Sequence, residues 1–253
     1  MKTYSYSHIG IDHAFAGGVC EDAIKWSSPR DGKVVVAVAD GMGSARLASA
    51  GSETAAKSAE RMMRRAAIEP DGSMAASVVS SASVRVAMAV AANAVLSRAV
   101  VAGNDPSDYN TTLMVVSYDA ASGVLDYGYV GDGSIVVAYA DQSVELLEAP
   151  QKGETSSSTY DLTSYPMWRF GRRDSVTSFV VATDGVMDAL LSSDRTGIDE
   201  TLVELLLARQ HDDALLDRFF GATFDDPDGS PVAGVVDDRT AFMCWGDDVG
   251  FDV

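Results

Sequence analysis

The segment Lys33 to Asp40 (KVVVAVAD) is a short, β-branched run without a polar alternate face, and it stops at Asp-Gly. A strand with water on one side alternates apolar and polar residues, whereas an uninterrupted apolar run must be covered on both faces. The motif of a strand ending in Asp-Gly returns twice, at Leu125 to Asp132 (LDYGYVGD) and at Ser178 to Asp184 (SFVVATD). A chain with such strands has to build layers on both sides of its sheet, and each strand delivers a carboxylate at its exit.

Further strands are expected at Thr111 to Tyr118, Ser134 to Ala140, Ser143 to Leu147 and Thr240 to Trp245, each bounded by Gly, Asp or Ser. Two helices are expected between the first strand and Thr111, over Leu47 to Ala67 and Ser73 to Ala102, separated by Glu-Pro-Asp-Gly-Ser with Ser73 as an N-cap. Helical spacing puts Leu47, Gly51, Ala55, Ala59, Met62 and Ala66 on one face of the first. It puts Val78, Ala82, Val86, Ala89, Asn93 and Leu96 on one face of the second. Shorter helices follow at Glu200 to Arg209 and Asp213 to Phe220, and Ala149 to Arg173, rich in Ser, Thr and Gly, reads as a surface loop. Strands and helices come in blocks, which argues for an α+β layered sandwich over alternating βαβ units.

The 253 residues, 47% apolar, can bury one large core, so a single domain over 1–253 is the default. A formal charge of -18 disfavours nucleic acid phosphate and anionic membrane surfaces as partners. Cys20 and Cys244 are too few and too far apart for a disulfide framework or a Cys-rich zinc site, which fits a reducing cytoplasm. The N-terminal MKTYSYSHIG lacks the apolar run of a signal peptide, and the most apolar stretch is interrupted by Arg85 and Arg98, so a soluble cytoplasmic protein is expected.

Five acidic sites stand out: Glu21-Asp22, Asp40-Gly41, Asp132-Gly133, Asp184-Gly185 and Asp237-Asp238. One strand-end Asp is a turn former. Three in one chain whose strands end near one another would repel unless a cation neutralises them. With oxygen donors dominating and no His or Cys at metal-ligand spacing, Mg²⁺ or Mn²⁺ is favoured over Zn²⁺ or copper. Two such ions about 3.5 to 4 Å apart can direct a shared hydroxide at phosphorus, so hydrolysis of a phosphate ester is the expected chemistry.

The ordered set CEDA (Cys20 to Ala23), VVAVADGMGSA (Val35 to Ala45), TTLMVV (Thr111 to Val116), YVGDGS (Tyr129 to Ser134), VVATDGVMD (Val180 to Asp188) and DDRTAFM (Asp237 to Met243) resembles a divergent branch of the bacterial metal-dependent, type-2C serine/threonine protein phosphatases. The resemblance covers nearly the whole chain. It implies a four-layer αββα sandwich, with two antiparallel sheets flanked by helix pairs. It implies two Mn²⁺ or Mg²⁺ ions and a third, weaker one. Asp40 would bridge the two metals, the Gly41 carbonyl would complete the second site, and Asp184 and Asp237 the first. Glu21 would reach the second metal directly or through water, Asp22 would orient metal-bound water, and Asp132 matches an Asp associated with the third ion. Asp238 stands where the family has Asn, and caps or tunes charge. The substrate implied is a phosphorylated protein, with a partner serine/threonine kinase or its targets close by and a monomer as the working form.

Two departures from the family pattern matter. Its phosphate-gripping Arg, four residues before the Glu, is Gly17 here, and the His found after Asp-Gly in many members is Met42. Replacement cations near the motifs are Arg46 first, then His8, with Lys25 also within the set; a guanidinium can grip two phosphate oxygens at once. Arg46 can equally be a solvated residue at a helix start. The rival reading is a silent phosphatase-like module that binds and regulates a phosphoprotein or kinase; the missing Arg favours it and the retained acids oppose it. His8 and His13 read as structural, His211 as a surface residue, and Cys20 as a small buried hydrophobe. Haloacid-dehalogenase chemistry loses its nucleophile, because Ala182 stands two residues before Asp184. The run Asp225 to Ser230 reads as a surface turn rather than a calcium loop, since Pro227 interrupts it and no closing Glu follows.

Overall fold

A computed structural model describes residues 1–68, 76–151, 159–192, 197–208, 212–221, 232 and 235–246. Among the described residues, ten strands form two antiparallel sheets: β1 (Lys2–His8), β2 (Ala23–Arg30), β3 (Lys33–Ala39), β4 (Leu113–Asp119), β5 (Val124–Val130), β6 (Ser134–Tyr139), β7 (Val144–Leu146), β8 (Arg169–Arg173), β9 (Val176–Ala182) and β10 (Arg239–Trp245). One sheet has the order β2-β3-β4-β5-β8 and the other β1-β10-β9-β6-β7. The helices are α1 (Ile11–Phe15), α2 (Ala48–Ile68), α3 (Ala76–Ala102), α4 (Asp184–Leu190), α5 (Glu200–Leu207) and α6 (Asp213–Gly221).

Three apolar layers explain why the strands carry no polar face. Val34, Val36 and Val38 of β3 meet Phe179, Val181 and Phe242 of the opposite sheet, while Val35, Ala37 and Ala39 face α2 and α3. A third layer joins Val180, Ala182, Ala241 and Met243 to Val186, Leu202, Leu206, Leu216 and Phe220 of α4, α5 and α6. Each fully buried Val or Leu contributes roughly 1.5–3 kcal/mol by leaving water. The result is the four-layer αββα sandwich, α+β in class, with both faces of each central strand buried even though the pairing is antiparallel.

Several expectations need correction. β1, β2 and β8 lie at sheet edges, and β8 falls inside the segment read as a loop from Ala149 to Arg173. Its sequence, RFGRR, looks unlike a strand because two of its arginines serve ion pairs. Arg172 grips the buried Asp126 carboxylate of β5 through two bonds of 2.8 Å, and Arg173 reaches Glu145 at 2.7 Å. The short helices α1 and α4 were also unforeseen, α4 because it begins on the Asp-Gly that reads as a turn.

The face expected of α3 is wrong as well. Its buried apolar side chains are Val84, Ala87, Met88, Ala91, Ala92, Val95 and Ala99, while Val86 is 45% exposed and Ala82 and Asn93 face solvent; the side chain of Val78 lies outside those described. The helix is apolar nearly all round, so its period has no preferred face, and small residues that allow α2 to approach decide the rotation. The segment Ala82–Ala102 is long and apolar enough to cross a membrane by composition, but here it packs on α2 and the first sheet. The expected N-cap at Ser73, His211 and the turn from Asp225 to Ser230 lie outside the described residues.

Candidate metal centre

Strand ends from both sheets meet at one edge of the sandwich. Asp40 leaves β3, and its backbone is held by β4's lead-in: the Thr112 N–H donates to the Asp40 carbonyl at 2.8 Å, and the Thr112 hydroxyl accepts from the Asp40 N–H at 3.0 Å. Asp132 sits in the turn by which the chain passes from β5 in one sheet to β6 in the other. Asp184 opens α4 directly after β9, Asp237 precedes β10, and Glu21 and Asp22 precede β2. Register explains the convergence, since Val130 pairs with Leu113, and Ala182 with both Ser134 and Ala241.

Glu21, Asp40, Gly41, Asp132, Asp184 and Asp237 line a single cavity of about 460 Å³, together with His13, Met42, Gly43, Ser44, Thr112 and Thr159. Asp40, Asp132 and Asp184 each place an oxygen within 4.8 Å of the other two. Two glycines make room for this. A Cβ on Gly41 would stand 2.7 Å from the Ala48 backbone, and one on Gly185 would stand 1.9 Å from the Asp238 carbonyl oxygen. Asp22 lies behind the cavity wall, buried, with Oδ2 accepting from the Thr183 hydroxyl at 2.8 Å.

Carboxylates packed this way resist ionisation. Burial first, then the charges of Asp22, Asp184 and Asp132, hold Asp40 well above the usual carboxylate range. Burial pushes Asp184 up to about 6, with Asp132 and Asp237 adding to it. Burial pushes Asp22 up to about 8 against the opposing hydrogen bonds from Thr183 and Thr240. Glu21 Oε2 and Asp22 Oδ1 are buried with no hydrogen-bond partner among the described residues. Concentrated, raised and unsatisfied oxygen donors are what a hard divalent cation neutralises, so the residues present fit Mg²⁺ or Mn²⁺.

The family model described as protein phosphatase 2C matches residues 9–218. The chain belongs to that family. Solved structures of the phosphatase 2C fold match it along nearly their whole length at low identity. They include a serine/threonine phosphatase of S. agalactiae (16% identical, TM-score 0.67, covering 97% of this chain and 99% of that one). PstP/Ppp of Mycobacterium tuberculosis is 14% identical, with TM-score 0.66 and coverage of 97% and 98%. PppA, described as a key regulatory component of T6SS in Pseudomonas aeruginosa, is 18% identical, with TM-score 0.64 and 96% of each chain covered. No curated protein matches the chain.

The three cations offered as replacements for the phosphatase 2C arginine are engaged elsewhere. Arg46 is 62% exposed and donates to Asp108 at 2.8 Å, outside the cavity lining. Lys25 pairs with Glu53 at 2.8 Å, and His8 Nδ1 lies 2.7 Å from the neighbouring Ile9 carbonyl. Gly17 itself has φ of +69°, a backbone setting that an Arg side chain would strain. A side chain that sequence reasoning read as structural, His13, lines the cavity. Its Nδ1 is 2.9 Å from Asp238 Oδ2, and its Nε2 is 4.0 Å from Glu21 Oε2. Burial opposes charge on this ring, but Asp238, Glu21 and Asp237 outweigh it and raise the imidazole above its ordinary value. No spacing rule could find it, because its partner is 225 residues away.

Proposed function

We propose that the chain is a metal-dependent serine/threonine phosphoprotein phosphatase acting within one domain over residues 1–253. The observation that carries this reading is the convergence of strand-end carboxylates from both sheets on one cavity, in a chain of the phosphatase 2C family. Asp40 would bridge two ions, with the Gly41 carbonyl and Glu21 on one and Asp184 and Asp237 on the other, while Asp132 would serve a third, weaker ion. The ions, when bound, supply an activated water and neutralise the phosphate oxygens.

The chain's own residues do the rest. Asp22, buried and held by Thr183, orients a water through its unpartnered Oδ1. Thr112 and the Gly41 bridge to Thr111 fix the backbone around Asp40. The substrate is a phosphorylated protein, with a serine/threonine kinase or that kinase's targets as the associated partner, and the working form is a cytoplasmic monomer. One observation favours the silent-module alternative: among the described residues, no Lys or Arg lines the cavity.

Phosphate release from an aryl phosphate and a phosphoserine peptide decides between the two. Turnover with Mn²⁺ or Mg²⁺, its loss on chelation, and a fall of more than about 100-fold in Asp40→Asn are expected. Peptide binding with no turnover at saturating metal would leave the silent module as the answer.

A further inference from the structure

Asp238 is 3% exposed, and its two oxygens accept three donors from one segment: Gly10 N–H at 2.6 Å, Glu21 N–H at 2.5 Å and His13 Nδ1–H at 2.9 Å. A carboxylate only accepts, so the neutral ring carries its proton on Nδ1 and turns the Nε2 lone pair away from Asp238. That lone pair reaches the cavity lining beside Glu21 Oε2, a buried oxygen with no hydrogen-bond partner among the described residues. Helix α1, which carries His13, buries none of its side chains. Core packing therefore does not account for its place; the Asp238 bonds and the Asp12 N–H to Val236 carbonyl bond at 3.2 Å do.

Nε2 and Oε2 are 4.0 Å apart. That is too far for a hydrogen bond, and it leaves room for one cation between the two atoms once the side chains turn toward it. A carboxylate that fixes a histidine through Nδ1 so that Nε2 can bind an ion is also a recurrent device of metal sites. We infer that His13 Nε2 and Glu21 Oε2 form a mixed nitrogen–oxygen metal position, held by Asp238, that favours Mn²⁺ over Mg²⁺. The inference rests on the metal centre of the proposed phosphatase and adds to it a nitrogen ligand. Mixed imidazole and carboxylate donors suit Mn²⁺ better than Mg²⁺, which prefers oxygen and water.

The test is pulsed electron paramagnetic resonance on the full chain loaded with Mn²⁺, read for nitrogen-14 coupling from a directly bound imidazole. Titration calorimetry of Mn²⁺ and of Mg²⁺ accompanies it. The wild type should show the coupling, and His13→Ala and His13→Gln should lose it. In both variants the Mn²⁺ affinity of one site should fall about 10–100-fold, with Mg²⁺ affinity changed less than about threefold. Because the Gly10 and Glu21 N–H bonds to Asp238 and the Asp12–Val236 bond remain, both variants should keep the wild-type circular dichroism. Mn²⁺ held without nitrogen coupling, or variants whose Mn²⁺ affinity stays within about twofold of wild type, would overturn the inference while leaving the phosphatase reading intact. Nitrogen coupling in a protein without turnover would do the reverse. Absence of Mn²⁺ binding would remove both.

Discussion

Stripping the metals should make the protein's stability depend on pH in a direction opposite to that of salt-bridged carboxylates. In the folded, metal-free chain Asp184 is raised from 3.8 to about 6 and Asp22 from 3.8 to about 8, in both cases chiefly by burial. Between 3.8 and those values the folded state holds protons that the unfolded chain has released. Stability is then fully present at low pH and is lost as pH rises through the folded-state values. From pH 5 to 7 Asp184 alone spans about one unit of this difference, or ~1.4 kcal/mol, and Asp22 brings the sum for these two to ~4 kcal/mol, with Asp40 adding in the same direction. His13, also raised, acts with the same sign. For a chain of this size the fall in Tm from pH 5 to 7 should be roughly 3–15 °C. A Mn²⁺ concentration 100 times the Kd at pH 7 should restore ~2.7 kcal/mol per site at pH 7, and the same concentration should restore less at pH 5, where protons compete with the ion. The assay is thermal unfolding by circular dichroism of chelator-treated protein across pH 5–7, with and without Mn²⁺, beside Asp184→Asn. A metal-free Tm that is flat or rises over that range, or a slope that Mn²⁺ and Asp184→Asn leave unchanged, would refute the reasoning.

Two further substitutions test the surroundings of the site. Arg46→Ala should leave kcat/KM for a phosphopeptide within about twofold, because its guanidinium is spent on Asp108 in water; a rise in KM of tenfold would return Arg46 to the phosphate. Gly185→Ala would set a Cβ 1.9 Å from the Asp238 carbonyl oxygen and force backbone to move. It should cost about 2–4 kcal/mol, a Tm loss on the order of 10 °C, and a wild-type melting curve would show that this contact relaxes freely.

The acidic cluster and the layered core are written locally. A run such as KVVVAVAD carries both facts in eight residues, because burial on two faces leaves no polar alternate and because the chain exits on Asp-Gly. The six acidic and glycine positions lining the cavity could therefore be named before any coordinates, as could seven of the ten strands. The edge strands β1, β2 and β8 and the short helices α1 and α4 were not legible in the same way. The residues of β8 look like loop because they are spent on Asp126 and Glu145, and α1 has no apolar face. The rotation of α3 was decided by packing, because a helix apolar all round carries no directional signal in its period.

What only the tertiary structure decided are the partnerships between distant groups. Asp238 gathers Gly10, His13 and Glu21 from the other end of the chain, so a histidine with no metal-ligand spacing faces the cavity, while Arg46, adjacent in sequence to a motif, turns to Asp108. Sequence determines what a short segment must bury and which charges it carries to its ends. Which charges then meet depends on strand register and on the close approach of backbones at Gly41 and Gly185, and these are properties of the assembled sheets.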